Sequence, residues 1–145
     1  MRLAISNIAW DTSEDQAIVT LLQRFGVDAI DIAPGKYFPE PDRATDNDIA
    51  LVKSWWAERG IEITGMQALL FGTNGLNVFG SIQSQDAMLR HLGHVCRIGA
   101  GLGAKRLVFG SPKNRDRSGL SEQKAMAVAI SFFRRLGDIA QSHDV

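Results

Sequence analysis

Phe25-Gly26-Val27-Asp28-Ala29-Ile30-Asp31-Ile32, Arg59-Gly60-Ile61-Glu62-Ile63-Thr64-Gly65-Met66 and Leu102-Gly103-Ala104-Lys105-Arg106-Leu107-Val108-Phe109 share one grammar. In each phrase a helical pattern ends, a glycine follows, and a short β-like run begins. Glycine suits the left-handed position just past a helix because it has no Cβ to clash. Repetition of the phrase predicts a chain built from helix-to-strand joints.

Working outward, the stretches before these glycines carry helical periodicity. Ile18, Leu21, Leu22 and Phe25 mark a first stripe, and Ile49, Val52 and Trp56 a second. Leu92, Val95, Cys96 and Leu102 mark a third, while Ala125, Val128, Phe132, Leu136 and Ile139 mark a fourth that runs almost to the end. Thr12 or Ser13, Thr45, Ser84 and Ser121 are candidate N-caps. Strands are predicted at Leu3 to Ile8, Ala29 to Ala33, Ile61 to Gln67 and Arg106 to Gly110. The resulting order, βαβαβαβα, implies a parallel sheet with right-handed crossovers: either a doubly wound sheet or part of a closed barrel. The long loops, residues 34 to 44, 69 to 83 and 111 to 120, all follow strands. In both architectures a site belongs at that end of the strands.

Composition is that of an ordinary globular protein, with 45% hydrophobic and 22% charged residues in 145. No linker or second composition regime interrupts the chain, so residues 1–145 read as one domain. Sixteen basic residues balance sixteen acidic ones, which argues against nucleic acid or an anionic membrane as partner. No apolar run approaches the roughly 18 residues of a membrane span. Cys96 is alone and the N-terminus lacks an apolar signal core, which points to the cytoplasm.

Four segments in order carry a resemblance: Leu3-Ala4-Ile5-Ser6-Asn7-Ile8-Ala9-Trp10, Gly26 through Pro34, Gln67-Ala68-Leu69-Leu70-Phe71-Gly72, and Leu107-Val108-Phe109-Gly110-Ser111-Pro112-Lys113-Asn114-Arg115. Together the chain resembles the xylose isomerase-like barrel superfamily, specifically the sugar phosphate isomerases/epimerases. The resemblance implies an α/β fold that is the (β/α)4 N-terminal half of a TIM (β/α)8 barrel, with parallel strands and outer helices. Complete barrels need about 250 residues. In the family a divalent metal (Mn, Mg, Co or Zn) is held by a Glu, an Asp, a His and a Glu at the ends of strands five to eight. The resemblance therefore implies no metal in this chain alone and no catalysis by it in isolation.

Several residues are candidates for holding a small sugar or sugar phosphate. Asp31 lies in step with Ala29 and Ala33 and out of step with Ile30 and Ile32, so it is expected to face the barrel interior, lining a pocket or paired with a basic residue. Gln67 can both donate to and accept from a sugar hydroxyl, or tie a loop. Of Ser6 and Asn7, one should face the barrel mouth, and parity with Ala4 favours Ser6. Gly110, Ser111, Lys113 and Arg115 offer close approach, a hydroxyl and two cations that would suit a phosphate or carboxylate, against a plain solvated loop. Trp10, Lys36 and Phe71 could wall the pocket or simply pack on the core.

Other motifs carry less. His91 and His94 are three apart within the third helix and read as surface residues, with no third ligand to make a metal site. Cys96 reads as core. Gly99-Ala100-Gly101-Leu102-Gly103-Ala104 matches a dinucleotide fingerprint by letter, but it closes a helix and opens a strand, the reverse of the required context.

Isomerase or epimerase chemistry on a sugar or sugar phosphate, by metal-dependent proton transfer next to a carbonyl in the complete barrel, is the leading reading. An inosose dehydratase-like lyase would use a similar site. A different class is a non-catalytic half-barrel that self-associates into a homodimer through its open sheet edges. DNA repair of the endonuclease IV sort would need basic grooves and strand-end histidines that the sequence does not supply.

Overall fold

The computed structural model describes residues 2–145. Four parallel strands, β1 (Ile5–Ser6), β2 (Ala29–Ile32), β3 (Glu62–Met66) and β4 (Arg106–Leu107), alternate with α1 (Asp15–Arg24), α2 (Asp46–Ala57), α3 (Ile82–Leu102) and α4 (Glu122–Ser142). The sheet order is β1-β2-β3-β4, so each strand pairs with its successor after a helical crossover. That order is the wall of a barrel. A doubly wound sheet reverses direction at a switch point, and none occurs here.

Alternation along the strands sorts the side chains. Ile30, Ile32, Ile63 and Met66 are buried under the helices, which bring Leu22, Trp56, Leu92, Val95, Ile98 and Phe132 to the same core. Cys96 is buried among them, and burial pushes its thiol pKa up. Pairing of β2 with β3 slips between Ile30 and Asp31, where Thr64 is the extra residue. The bulge leaves Thr64 and Gly65 beside the Asp31 side chain.

Both edge strands are shorter than their apolar runs predict because each is paired on one side only. At β4 the ladder continues past the strand proper, with the Val108 N–H donating to the Met66 carbonyl at 2.8 Å. Gly26, Gly60 and Gly103 take φ of 66°, 73° and 83°, as the repeated phrase requires.

Thr45 and Ser121 cap α2 and α4, each oxygen accepting from the N–H three residues on. The cap of α3 is Ser81, not Ser84. The Ser84 hydroxyl is committed elsewhere, donating to the Gly75 carbonyl at 2.6 Å and accepting from the Asn77 N–H at 3.1 Å. α1 is entered through a 3-10 turn over Thr12–Glu14, where the Glu14 carboxylate accepts from the Asp11 N–H.

The glycines of the dinucleotide-like run serve packing. A Cβ at Gly99 would lie 3.0 Å from the Met66 Cε, and one at Gly101 would lie 2.7 Å from the Ile49 Cγ2. They let α3 close on β3 and α2. Among the described residues no helix is long and apolar enough to cross a membrane.

Candidate functional site

The C-terminal ends of the strands open into a cleft of about 530 Å³. Gln67, Gly110, Ser111 and Lys113 line it, with Ile8, Leu70, Phe71 and Val108 as its apolar wall. Gln67 leaves β3 pointing toward the barrel interior, where its amide donates to the Ser6 hydroxyl at the end of β1. The Ser6 oxygen also accepts from the Ile8 N–H at 3.1 Å, which holds the 3-10 turn over Asn7–Ala9. The amide and the hydroxyl are thus fixed relative to one another across three strands.

Two long loops form the outer rim, and they are tied to each other. Asn114 is 1% exposed. Its side chain donates to the Leu76 carbonyl at 2.7 Å, its own carbonyl accepts from the Val78 N–H at 2.9 Å, and its Oδ1 accepts from Ser111. Lys113 reaches across to the Thr73 carbonyl at 3.1 Å, so its ammonium is held at the rim. Sequence reading passed over Asn114, because a polar residue in a polar loop gives no sign that it will be buried.

Ala68, directly after Gln67, takes φ of 54°. A residue bearing a Cβ rarely adopts this left-handed conformation. The turn it makes aims Gln67 inward while Leu69 and Leu70 drop into the core.

Asp31 faces the interior as its parity indicates, one layer below the cleft. Its partner is a hydroxyl, not a basic residue: the Thr64 side chain donates to Oδ1 at 2.9 Å. Gly65 makes room for it, since a Cβ there would lie 2.7 Å from that oxygen. Arg106, paired with Gly65 across β3 and β4, alternates with core-facing Leu107 and so lies on the interior face.

Two of the candidate ligand residues are corrected. Asn7 is fully buried, because the turn that starts at Asn7 carries it beneath the end of β2. There its Oδ1 accepts from the Ala33 N–H at 2.7 Å, out of reach of any substrate. Arg115 does not line the cleft; its Nε donates to the Ser111 carbonyl at 3.4 Å and the guanidinium is exposed.

Trp10 and Lys36 belong to a separate buried network. The Lys36 ammonium donates to the carbonyls of Asn7 and Trp10. Asp15 accepts from the Trp10 indole at 2.7 Å and the Tyr37 hydroxyl at 2.8 Å. Burial, and then the hydrogen bond and charge of Asp15, push the Tyr37 phenol well above its ordinary range. Phe71, by contrast, does wall the cleft and is 78% exposed. His91 is half-buried, not on the open surface: its Nε2 meets the Leu69 carbonyl at 2.9 Å and ties α3 to the loop after β3.

The cleft presents an amide, hydroxyls and an ammonium, with no carboxylate, imidazole or thiolate on its lining. Among the described residues no three His, Cys, Asp or Glu side chains gather as metal ligands. This donor set does not fit a divalent metal ion.

The sequence matches no family model and no curated protein. Solved structures do match. A putative xylose isomerase from Rhodospirillum rubrum superposes over 100% of this chain and 52% of its own, with a TM-score of 0.75 at 15% identity. The 3-keto-D-glucoside 4-epimerase YcjR of E. coli covers 99% of this chain and 53% of its own, at 0.67 and 18%. The D-psicose 3-epimerase of Clostridium cellulolyticum, solved with D-tagatose, covers 100% and 50%, at 0.71 and 13%. The chain therefore spans about half the length of the structures it matches. With the strand order and the outer helices, these likenesses establish its architecture as the N-terminal half of a xylose isomerase-like (β/α)8 barrel.

Proposed function

We propose that the cleft holds the substrate of a sugar or sugar-phosphate isomerase or epimerase, and that this chain is the substrate-orienting half of that barrel. The observation that carries the reading is the Gln67–Ser6 pair, set beside Ser111 and Lys113 in one cleft at the C-terminal ends of the strands. An amide and two hydroxyls both donate and accept, which matches a run of sugar hydroxyls. Ile8, Leu70, Phe71 and Val108 give the C–H face of a sugar an apolar surface. Lys113, held at the rim, supplies a cation for a phosphate or carboxylate. Support also comes from the fold, which is shared with proteins named as epimerases of D-psicose and of 3-keto-D-glucoside.

Enzymes of this kind imply a divalent metal (Mn, Mg, Co or Zn), and the cleft described here lacks the donors for one. The proposal therefore gives these residues binding and orientation only. Proton transfer next to the carbonyl belongs to groups outside them. A cytoplasmic setting fits the same reading, since a lone thiol such as Cys96 stays reduced there.

Titration of the 15N-labelled chain with D-fructose and with D-fructose 6-phosphate tests this. Shifts are expected at Gln67, Ser111 and Lys113, larger for the phosphate ester at Lys113 and lost in Gln67→Ala. Shifts scattered over the helices, or none, would refute the assignment. With Mn²⁺ or Mg²⁺ added the same sample should epimerise neither sugar; turnover would move the chemistry into these residues.

A further inference from the structure

Both ends of the sheet are open, and the helices beside them carry apolar stripes that no other part of the chain covers. On α1 the side facing α2 is marked by Gln23, whose amide donates to the Arg59 carbonyl at 3.0 Å. At 3.6 residues per turn, Ile18, Leu21 and Phe25 fall on the opposite side. Leu21 is 47% and Phe25 73% exposed. On α4 the side facing α3 is marked by Arg135, which pairs with Asp86 at 2.6 Å. Met126, Ile130 and Phe133 fall opposite and are exposed. Each terminal helix thus turns an apolar stripe outward, on the same flank as its strand's unpaired edge.

We propose that these two flanks are a single interface with a second copy of this chain, the copies being related by a two-fold axis along the barrel. Such an axis keeps all strands parallel. It sets the β4 edge of one copy beside β1 of its partner, and the Met126, Ile130 and Phe133 stripe against the partner's Leu21 and Phe25. One second copy satisfies both open edges at once, and the eight strands that result are the number at which a parallel sheet closes over a filled interior. Charge permits it: the formal net charge is zero, so the copies do not repel. The interior face is also balanced, with one carboxylate, Asp31, and one guanidinium, Arg106, from each copy. The inference goes beyond the sugar-binding reading and does not depend on it.

Sedimentation of the 145-residue chain tests the interface. A particle of twice 15.9 kDa is expected. Phe25→Glu and Phe133→Lys lie on opposite flanks, so each alone should weaken the dimer by at least about tenfold, as burying one unpaired charge does. An equimolar mixture of the two variants should re-form a dimer, since one junction then joins unlike charges and the other is native. Both sites are solvent-facing, and far-UV circular dichroism confirms that each variant remains folded. A monomer at all concentrations overturns the proposal and assigns the flanks to a different polypeptide. Loss of the dimer in Phe133→Lys alone, with Phe25→Glu inert, also overturns it, because that is the signature of α4 packing on α4. Failure of the mixture to associate does the same.

Discussion

Gly65 shows how closely the interior is set around one carboxylate. A side chain there would meet the Asp31 Oδ1 at 2.7 Å and the Arg106 carbonyl at 2.9 Å, one of them rigid backbone. Gly65→Ala should therefore destabilise the fold by roughly 1–3 kcal/mol, the usual range for overpacking, read as a lowered thermal midpoint. Tyr37 gives a prediction in pH. Its phenol is raised in the folded state, so the stability it contributes is complete below the ordinary phenol pKa of about 10 and is lost as pH rises through the folded value. Tyr37→Phe should flatten the alkaline limb of a denaturation midpoint plotted against pH; an unchanged limb would rule the phenol out as its cause. At this scale the sequence was legible where alternation decides, as at Asp31, Ser6 and Gln67. It was illegible at Asn7 and Asn114, because nothing in an amide's neighbours along the chain says whether its partners will be substrate or backbone.

Among the elements, the glycine-closed helices followed directly from local chemistry, since a left-handed residue is needed at the same point in each unit. Cap positions were harder to read. Ser81 and Ser84 are equally good caps by type, and the choice falls to Ser81 because the loop before α3 uses the Ser84 hydroxyl for its own backbone groups. The stripes on α1 and α4 were also only half legible: periodicity finds apolar residues but not which neighbour they face. In the middle of the molecule, α3 approaches α2 through Gly101 with no room for a methyl group beside Ile49. Gly101→Ala alone should cost about 1–3 kcal/mol, and Ile49→Val should recover part of it, giving a favourable coupling energy in a double-mutant cycle of chemical denaturation midpoints. Strict additivity would show that the two helices do not meet as described.

For the molecule as a whole, the unit order was readable because each phrase repeats the last, whereas the open flanks were not, since a sequence pattern does not state what lies beyond its last element. The dimer proposed above has a thermodynamic signature at this scale: the thermal midpoint of the chain should rise with protein concentration, and a concentration-independent midpoint would count against it. The sheet order has a different kind of consequence. Every strand pairs with the one made immediately before it, so a chain emerging from the ribosome never has to hold a finished strand in wait for a distant partner. Each newly synthesised unit docks on an edge already built and exposes the next, so the molecule grows vectorially, like a course of bricks laid against the last.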